Sequence, residues 1–468
     1  MAERGDIEHY RNAIGEVFAG RRVIVVGGPV DRLLPLARDL RALGADRPFI
    51  IGSSLGTGEL PSEDEAEWVS LEVGASSLLE ARRVYEGLLA HLPESVRQRL
   101  DDWDPRRSAI ALGAFVLGEV PQVGGRPRYA ARPRAWTALE DKTTIDGLWD
   151  SLGIEHAPFA VVRPNRAELE EAASRLDGGM GTVWAADSRD GINSGADAVR
   201  WIQNERDVRD ALEFFPTRCE RVRVTPFMEG VPCSIHGIVV PDGVAVFRPV
   251  ELLTLRERSE SHIAYAGTAT YWDPPARDRE VLRALAHRAG EAIARRVGFR
   301  GAFTIDGVLA EQGFLPTELN PRIGTGLALL DKSTAGLPLT LVAIAAQAGE
   351  NLDFRPQLLE ELVVESADER RGGSAFLMLH QPHKSRRSLR VVWSGDEFSS
   401  ATDDLVDDGE VSIGPSEVGS FVRYAPRPER VPVGPPFAPR VAAAFRLAER
   451  ELGTRGGRLE SARAVRAG

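Results

Sequence analysis

The chain has 468 residues, 43% apolar and 27% charged, which suits a soluble protein of two to four domains with large buried cores. Acidic residues outnumber basic ones 69 to 58, and the net charge of −11 argues against nucleic acid or an anionic membrane as the main partner. The opening MAERGDIEHY is polar, and the apolar run from Leu337 to Ala348 falls short of the roughly 20 residues that span a bilayer. Two cysteines, Cys219 and Cys233, make neither a disulfide framework nor a zinc site, so a reducing cytoplasm is the expected location. Only three basic residues are lysines (Lys142, Lys332 and Lys384) and 55 are arginines, so each lysine is informative. Arginine cannot mimic the compact point charge of an ammonium.

The first 135 residues read as alternating strands and helices, which implies a mostly parallel sheet covered on both faces. Arg21 to Val26 is an apolar strand, and Leu33, Leu36, Ala37, Leu40 and Leu43 then recur on one helical face. The Gly27-Gly28 turn between them is not a GxGxxG and is read as a structural turn. Gly124 to Arg134, rich in Arg, Pro and Gly, reads as a linker, and a helix is predicted from Trp136 to Leu152. Ser234 to Val240 and Val244 to Arg248 form a hairpin around Pro241-Asp242-Gly243. Glu251 to Trp272 includes Arg256, Arg258 and His262 in a predicted loop, where guanidinium groups could hold a carboxylate or simply be solvated. His262 is a candidate general base there.

Asp278 is read as the cap of a helix with Leu282, Leu285, Ala289, Ile293 and Val297 on its apolar face and Gly298 as its stop. Two strands follow, Ala302 to Ala310 and Phe314 to Asn320. A three-residue loop, Glu311-Gln312-Gly313, pairs Asp306 with Glu318 and Thr304 with Asn320. It also puts Phe303, Ile305, Leu309, Leu315 and Leu319 on the opposite face. Facing carboxylates repel, and a divalent cation removes the conflict. Two carboxylates and a carboxamide on rigid strands suit Mg²⁺, with Mn²⁺ as the alternative, held together with substrate phosphates. Arg322 lies just beyond, placed to neutralise a phosphate or a developing charge.

With IDG…ELNPR on the page, the segment resembles the metal-binding end of the ATP-grasp ligases, and the similarity covers roughly residues 136 to 355. The resemblance implies a fold of mixed α/β and α+β character: a Rossmann-like pre-ATP-grasp domain (residues 1–135), a two-lobed ATP-grasp domain (136–355) and a small C-terminal accessory region (356–468). It implies that Asp306, Glu318 and Asn320 ligate Mg²⁺, that Arg322 stabilises the transferring phosphoryl group and that Lys142 reaches the ATP phosphates. In VRVTPFMEG, Pro226, Phe227 and Met228 would form the adenine hinge through backbone groups. The loop SRDGINSG, with Gly191, Ser194 and Gly195, would cradle phosphates through its N–H groups.

One family landmark is missing. A second lysine is expected on the strand Thr182 to Ala186, where Ala185 or a neighbour stands; Arg189, Arg200 and Lys332 are the candidate substitutes. The implied activity is that of an ADP-forming carboxylate–amine ligase that acts through an acyl phosphate on an amino acid or small peptide-like metabolite. Its partners would be small-molecule acids and amines, with a homodimer as the base-rate expectation. A catalytically silent nucleotide binder is the alternative, motivated by the missing lysine. An oxidoreductase lacks a dinucleotide fingerprint to support it. Residues 356 to 468 carry no chemical motif, and the last 15 are read as frayed.

Overall fold

The computed structural model describes residues 4–113, 120–188, 198–257, 260–383, 385–401, 406–416 and 418–463. Near the N-terminus, β1 (Val23–Val26), β2 (Phe49–Gly52), β3 (Glu67–Ser70) and β4 (Ile110–Leu112) form a parallel sheet in the order β3-β2-β1-β4. Its strands are apolar on both faces because each face has its own core. Val23, Val25 and Ile50 enter one cluster, and Ile24, Val26, Phe49 and Ile51 enter another. The Gly27-Gly28 turn is tied down as a structural turn: Gly27 N–H donates to Tyr85 Oη and Ser53 N–H donates to Gly28 O.

The segment read as a linker is more ordered than its composition suggests. β5 (Gln122–Val123) and β6 (Arg126–Pro127) form a tight hairpin across Gly124 and Gly125, whose φ values are 54° and 79°. Arg126 is fully buried beneath it, paired to Asp101 and Asp104. The helix predicted from Trp136 to Leu152 is broken into a turn of helix at Arg134–Thr137, a 3-10 turn at Ala138–Glu140 and a helix at Ile145–Ser151. Asp141 Oδ1 accepts from both the N–H and the hydroxyl of Thr143, a local bond that competes with continuous helix.

A second, antiparallel sheet has the order β7-β10-β8-β9, from β7 (Ala160–Val162), β8 (Thr182–Ala186), β9 (Val199–Ile202) and β10 (Val222–Pro226). One face packs Trp184, Val222 and Val224 against Leu169 and Phe215 of its two helices. The other face, with Ala185, Arg223 and Thr225, looks toward the rest of the molecule. The third sheet is the largest. It begins with β11 (Val231–Val240), β12 (Gly243–Val246), β13 (Val250–Glu257) and β14 (His262–Ala269), and continues with β15 (Gly301–Ala310) and β16 (Gly313–Asn320). Arg256 and His262 therefore lie in paired strands, not in a loop, and Arg256 is buried.

The helix Ala276–Val297 covers this sheet with Leu282, Leu285, Ala289 and Ile293 in the core, each large side chain contributing about 1.5–3 kcal/mol. Gly298 ends it in the left-handed conformation, φ 62°. Pro275, rather than Asp278, occupies the cap; Asp278 is buried in the first turn. The C-terminal region extends the same sheet through β17 (Gly373–Leu379), β18 (Arg387–Trp393), β19 (Phe398–Ser400), β20 (Gly409–Ser416) and β21 (Gly419–Pro426). The tail is not frayed as far as Arg463: β22 (Glu460–Ser461) pairs with β13. No helix among the described residues is long and apolar enough to cross a membrane.

Candidate active site

The β15–β16 hairpin sets the geometry. Asp306 pairs with Glu318, Ile305 with Leu319 and Thr304 with Asn320, as the alternation predicts. Nearer the turn the register differs, because Ala310 pairs with Gly313 and only Glu311 and Gln312 form the turn. The odd residue is recovered at a bulge that passes Thr317, whose hydroxyl donates to Asp306 O at 3.1 Å. One consequence is that Phe314, rather than Leu315, joins Phe303, Ile305, Leu309 and Leu319 in one cluster, while Leu315 is buried outside it.

Asp306, Glu318 and Asn320 thus share one face. Asn320 Nδ2 donates to Asp306 Oδ2 at 3.0 Å and to Glu318 Oε1 at 3.3 Å. Burial pushes the Asp306 carboxyl up to about 6 although Arg322 and Lys142 pull it down. Its Oδ1 is buried with no hydrogen-bond partner among the described residues. An oxygen-only face with an orphaned carboxylate oxygen fits a hard cation. Among the described residues no group of three or more His, Cys, Asp and Glu could hold a metal; the face here offers two carboxylates and an amide.

Lys142 comes in from the turn ahead of the helix Ile145–Ser151 and its Nζ contacts Glu318 Oε2. Burial lowers its pKa to about 8, opposed by the charges of Asp306 and Glu140. Arg322 donates to Asn320 Oδ1 at 3.1 Å and to Glu140 Oε2 at 3.3 Å, while Arg132 holds the other Glu140 oxygen at 2.5 Å. Burial works against the Glu140 charge, but Arg322 and Arg132 outweigh it and hold the carboxyl below its ordinary value. Sequence reasoning missed Glu140 and Arg132. The only signal was proximity, Glu140 being two residues before Lys142.

Across from this face lies the sheet that holds Ala185. Its cross-strand partner on β10 is Arg223, 4% exposed, whose guanidinium grips Asp146 through two hydrogen bonds of 2.6 Å. The Arg223 charge reaches Lys142 and helps to lower its pKa. Arg200, weighed as a substitute cation, lies opposite Trp184 on the helix-packed face, over the Phe214 ring. Lys332 lies in the helix Thr325–Ser333, within range of Arg32 and Arg423. Arg189, Gly191, Ser194 and Gly195 fall outside the described residues. The basic side chain beside Ala185 is therefore Arg223, which becomes legible only once β8 and β10 are set in register.

The hinge segment follows β10. Pro226 ends β10 opposite Thr182, and Phe227 N–H donates to Gly181 O. The Phe227 ring stacks on Trp201 with centroids 4.3 Å apart, and Arg256 lies over its other side while paired to Glu229. Met228 follows, and Gly230, φ 153°, passes so close to Leu309 O that no side chain fits.

No protein-family model matches the chain. Among solved structures it is similar to carboxyaminoimidazole ribonucleotide synthase from Aspergillus clavatus, complexed with ATP, with a TM-score of 0.51 and 13% identity over 92% of this chain and 99% of that one. That similarity, with the paired sheets and the hairpin described above, decides the fold. The chain has the ATP-grasp fold. Phosphoribosylglycinamide synthetase from Anaerococcus prevotii gives a TM-score of 0.44 and 15% identity over 86% of this chain and 94% of that one. By sequence, the chain is 24% identical over 233 residues to the arginine-specific carbamoyl phosphate synthase large chain of Bacillus subtilis (strain 168), 47% of this chain. It spans 20% of the length of that relative.

Proposed function

We propose that the chain is an ATP-dependent, ADP-forming carboxylate–amine ligase. The observation that carries this reading is the convergence of Asp306, Glu318, Asn320, Arg322 and Lys142, with the Arg223 charge near enough to act on Lys142. Asp306, Glu318 and Asn320 would hold Mg²⁺ or Mn²⁺; the amide must then turn its oxygen, now on Arg322, toward the acids. Bound there with the nucleotide, the cation supplies charge neutralisation at the transferring phosphoryl group.

The residues of the chain do the rest by position. The hinge presents the Pro226 carbonyl and the Met228 N–H to adenine beside the Trp201–Phe227 stack. Lys142 reaches the phosphates with the buried Arg223–Asp146 pair adding positive charge nearby, and Arg322, braced by Glu140, stabilises charge on the phosphoryl group as it moves to the acid. The acid carboxylate attacks the γ-phosphorus and ADP leaves. The amine then attacks the acyl carbon, loses a proton, and phosphate departs from the new amide. We take residues 1–135, 136–355 and 356–468 as the three functional units, with an amino acid or peptide-like metabolite as substrate.

Calorimetric titration of Mg-ATP into wild type, Glu318→Gln and Lys142→Met tests the site. Both variants are expected to bind at least as much more weakly as the roughly 10- to 100-fold that loss of a supporting residue costs a metal site. Chelation of divalent ions should bring wild type close to Glu318→Gln. Binding that ignores both Mg²⁺ and Glu318 would overturn the assignment.

A further inference from the structure

The helix Ala438–Leu452 ends at Gly453, and the chain then returns to the large sheet. Thr454 and Leu459 are buried, Leu459 in the same cluster as Val441, Phe445 and Leu452 of that helix. One acid holds the segment between them. Arg458 N–H donates to Glu257 Oε1 at 3.1 Å, and Gly457, φ 79°, lies so close to that carboxylate that a Cβ would overlap it. β22 follows, with Glu460 opposite Arg256 and Ser461 opposite Leu255 of β13.

The ladder decides where β22 lies. A strand has two hydrogen-bonding edges, and β14 already occupies one edge of β13 at Leu255 and Arg256. β22 is therefore on the other edge, the one that β11 shares. Among the described residues β11 and β13 pair at Cys233–Glu251 and Ser234–Val250 alone, and toward its start β11 leaves the ladder for the hinge. The C-terminal segment fills the gap between that departing strand and β13. Its next contact is the hinge itself: Arg463 N–H donates to Glu229 Oε1 at 2.8 Å.

Glu229 carries this contact toward the adenine side of the site. Its other oxygen, Oε2, accepts from Arg256 Nη1 at 2.9 Å. Arg256 is buried and lies over the Phe227 ring, which stacks on Trp201 of β9. One carboxylate thus joins the C-terminal segment, a buried cation and the aromatic stack. A free glutamate side chain has rotamer freedom to lose, and the charge-assisted bond from Arg463 N–H removes that freedom in advance. A hinge already fixed gives up less when nucleotide binds to it.

We propose that residues 457–463 are a strap that sets the hinge, with Glu229 as the positioning residue, so that docking of the strap and binding of nucleotide favour one another. The proposal rests on the hinge assignment made for the ligase and adds the C-terminal segment to the nucleotide site. Such coupling is reciprocal: the factor that the docked strap adds to nucleotide affinity is the factor that nucleotide adds to docking.

The test titrates Mg-ATP calorimetrically into the full chain as wild type, Arg463→Pro, Arg463→Ala, Gly457→Ala and Glu318→Gln, with urea midpoints recorded for each. Arg463→Pro deletes the N–H that reaches Glu229, whereas Arg463→Ala keeps it and loses only an exposed side chain. Gly457→Ala dislodges the strap at Glu257, away from the hinge. Arg463→Pro and Gly457→Ala are expected to weaken binding about fivefold or more, and Arg463→Ala to restore most of it. Saturating Mg-ATP should also slow hydrogen exchange in the wild-type peptide 454–463, by a factor matching the affinity lost. Unchanged affinity in both strap variants, or exchange in that peptide indifferent to Mg-ATP, overturns the strap. If Glu318→Gln weakens binding while the strap variants do not, the nucleotide site stands without the strap. A wild type that binds no Mg-ATP overturns both. Strap-dependent binding by a protein without ligase turnover upholds the strap and rejects the ligase reading.

Discussion

At Gly326 an added methyl group would overlap Nε2 of His236, which lies buried between Ser234 Oγ at 3.0 Å and Thr304 Oγ1 at 2.9 Å. Thr304 is the cross-strand neighbour of both Asn320 and His236, so this histidine stands on the same face of the sheet as the metal-side residues and supports them from the side. Burial pushes its pKa down to about 3, so it stays neutral in the fold. Gly326→Ala is therefore expected to destabilise the protein by about 1–3 kcal/mol. His236→Ala in the same chain should return part of that loss, since the clash goes with the ring. Urea midpoints of the two single variants and the double variant measure the coupling, and simple additivity would refute the contact. None of this was visible as a pattern in the sequence. His236 and Gly326 are 90 positions apart, and only the sheet brings them together.

At the scale of elements, Glu251 ties the C-terminal helix to the central sheet. Its buried carboxyl accepts from the N–H groups of Phe437 and Ala438, at the start of the helix Ala438–Leu452. Burial raises its pKa to about 7, against the pull of those two donors. Between the ordinary value near 4.5 and about 7, the folded chain holds a proton that the unfolded chain has lost. The group's contribution to stability is therefore present below pH 4.5 and is lost as pH rises toward 7. Glu251→Gln removes this dependence, so its stability relative to wild type should rise between pH 5 and 7.5, as read from urea midpoints. A constant difference would contradict the assignment. The hairpin's chemistry was legible because alternation alone fixes which of Thr304, Asp306, Glu318 and Asn320 share a face. Its turn was not, because the bulge at Thr317 exchanges one residue between loop and strand without changing that face. Lys142 was found but misplaced into a helix, since an Asx turn at Asp141 leaves no periodic signature. The strands β17 to β21 were missed as an extension of the sheet. Arg387 to Trp393, for example, is mostly solvent-facing and lacks the apolar alternation of a half-buried strand.

For the whole molecule, the parallel sheet does not sit apart from the ligase fold. Val23 and Val25 of β1 pack in one cluster with Ile238, Ala302 and Leu341 from the middle of the chain and Leu359 beyond them, and the C-terminal strands continue the sheet on the other side. The hinge is thus tied to distant parts of the described chain, down to Arg463, whose N–H donates to Glu229. Such a frame suits a reaction that depends on holding nucleotide, acid and amine in register. The central claim is that this frame activates a carboxylate by phosphorylation. The most direct measurement is turnover of Mg-ATP with hydroxylamine and pooled carboxylic and amino acids, with ADP, AMP and hydroxamate quantified separately for wild type and Glu318→Ala. ADP and hydroxamate formed together by wild type, and both abolished by the substitution, is the expected result. AMP as the nucleotide product, or hydroxamate formed undiminished by Glu318→Ala, would contradict it.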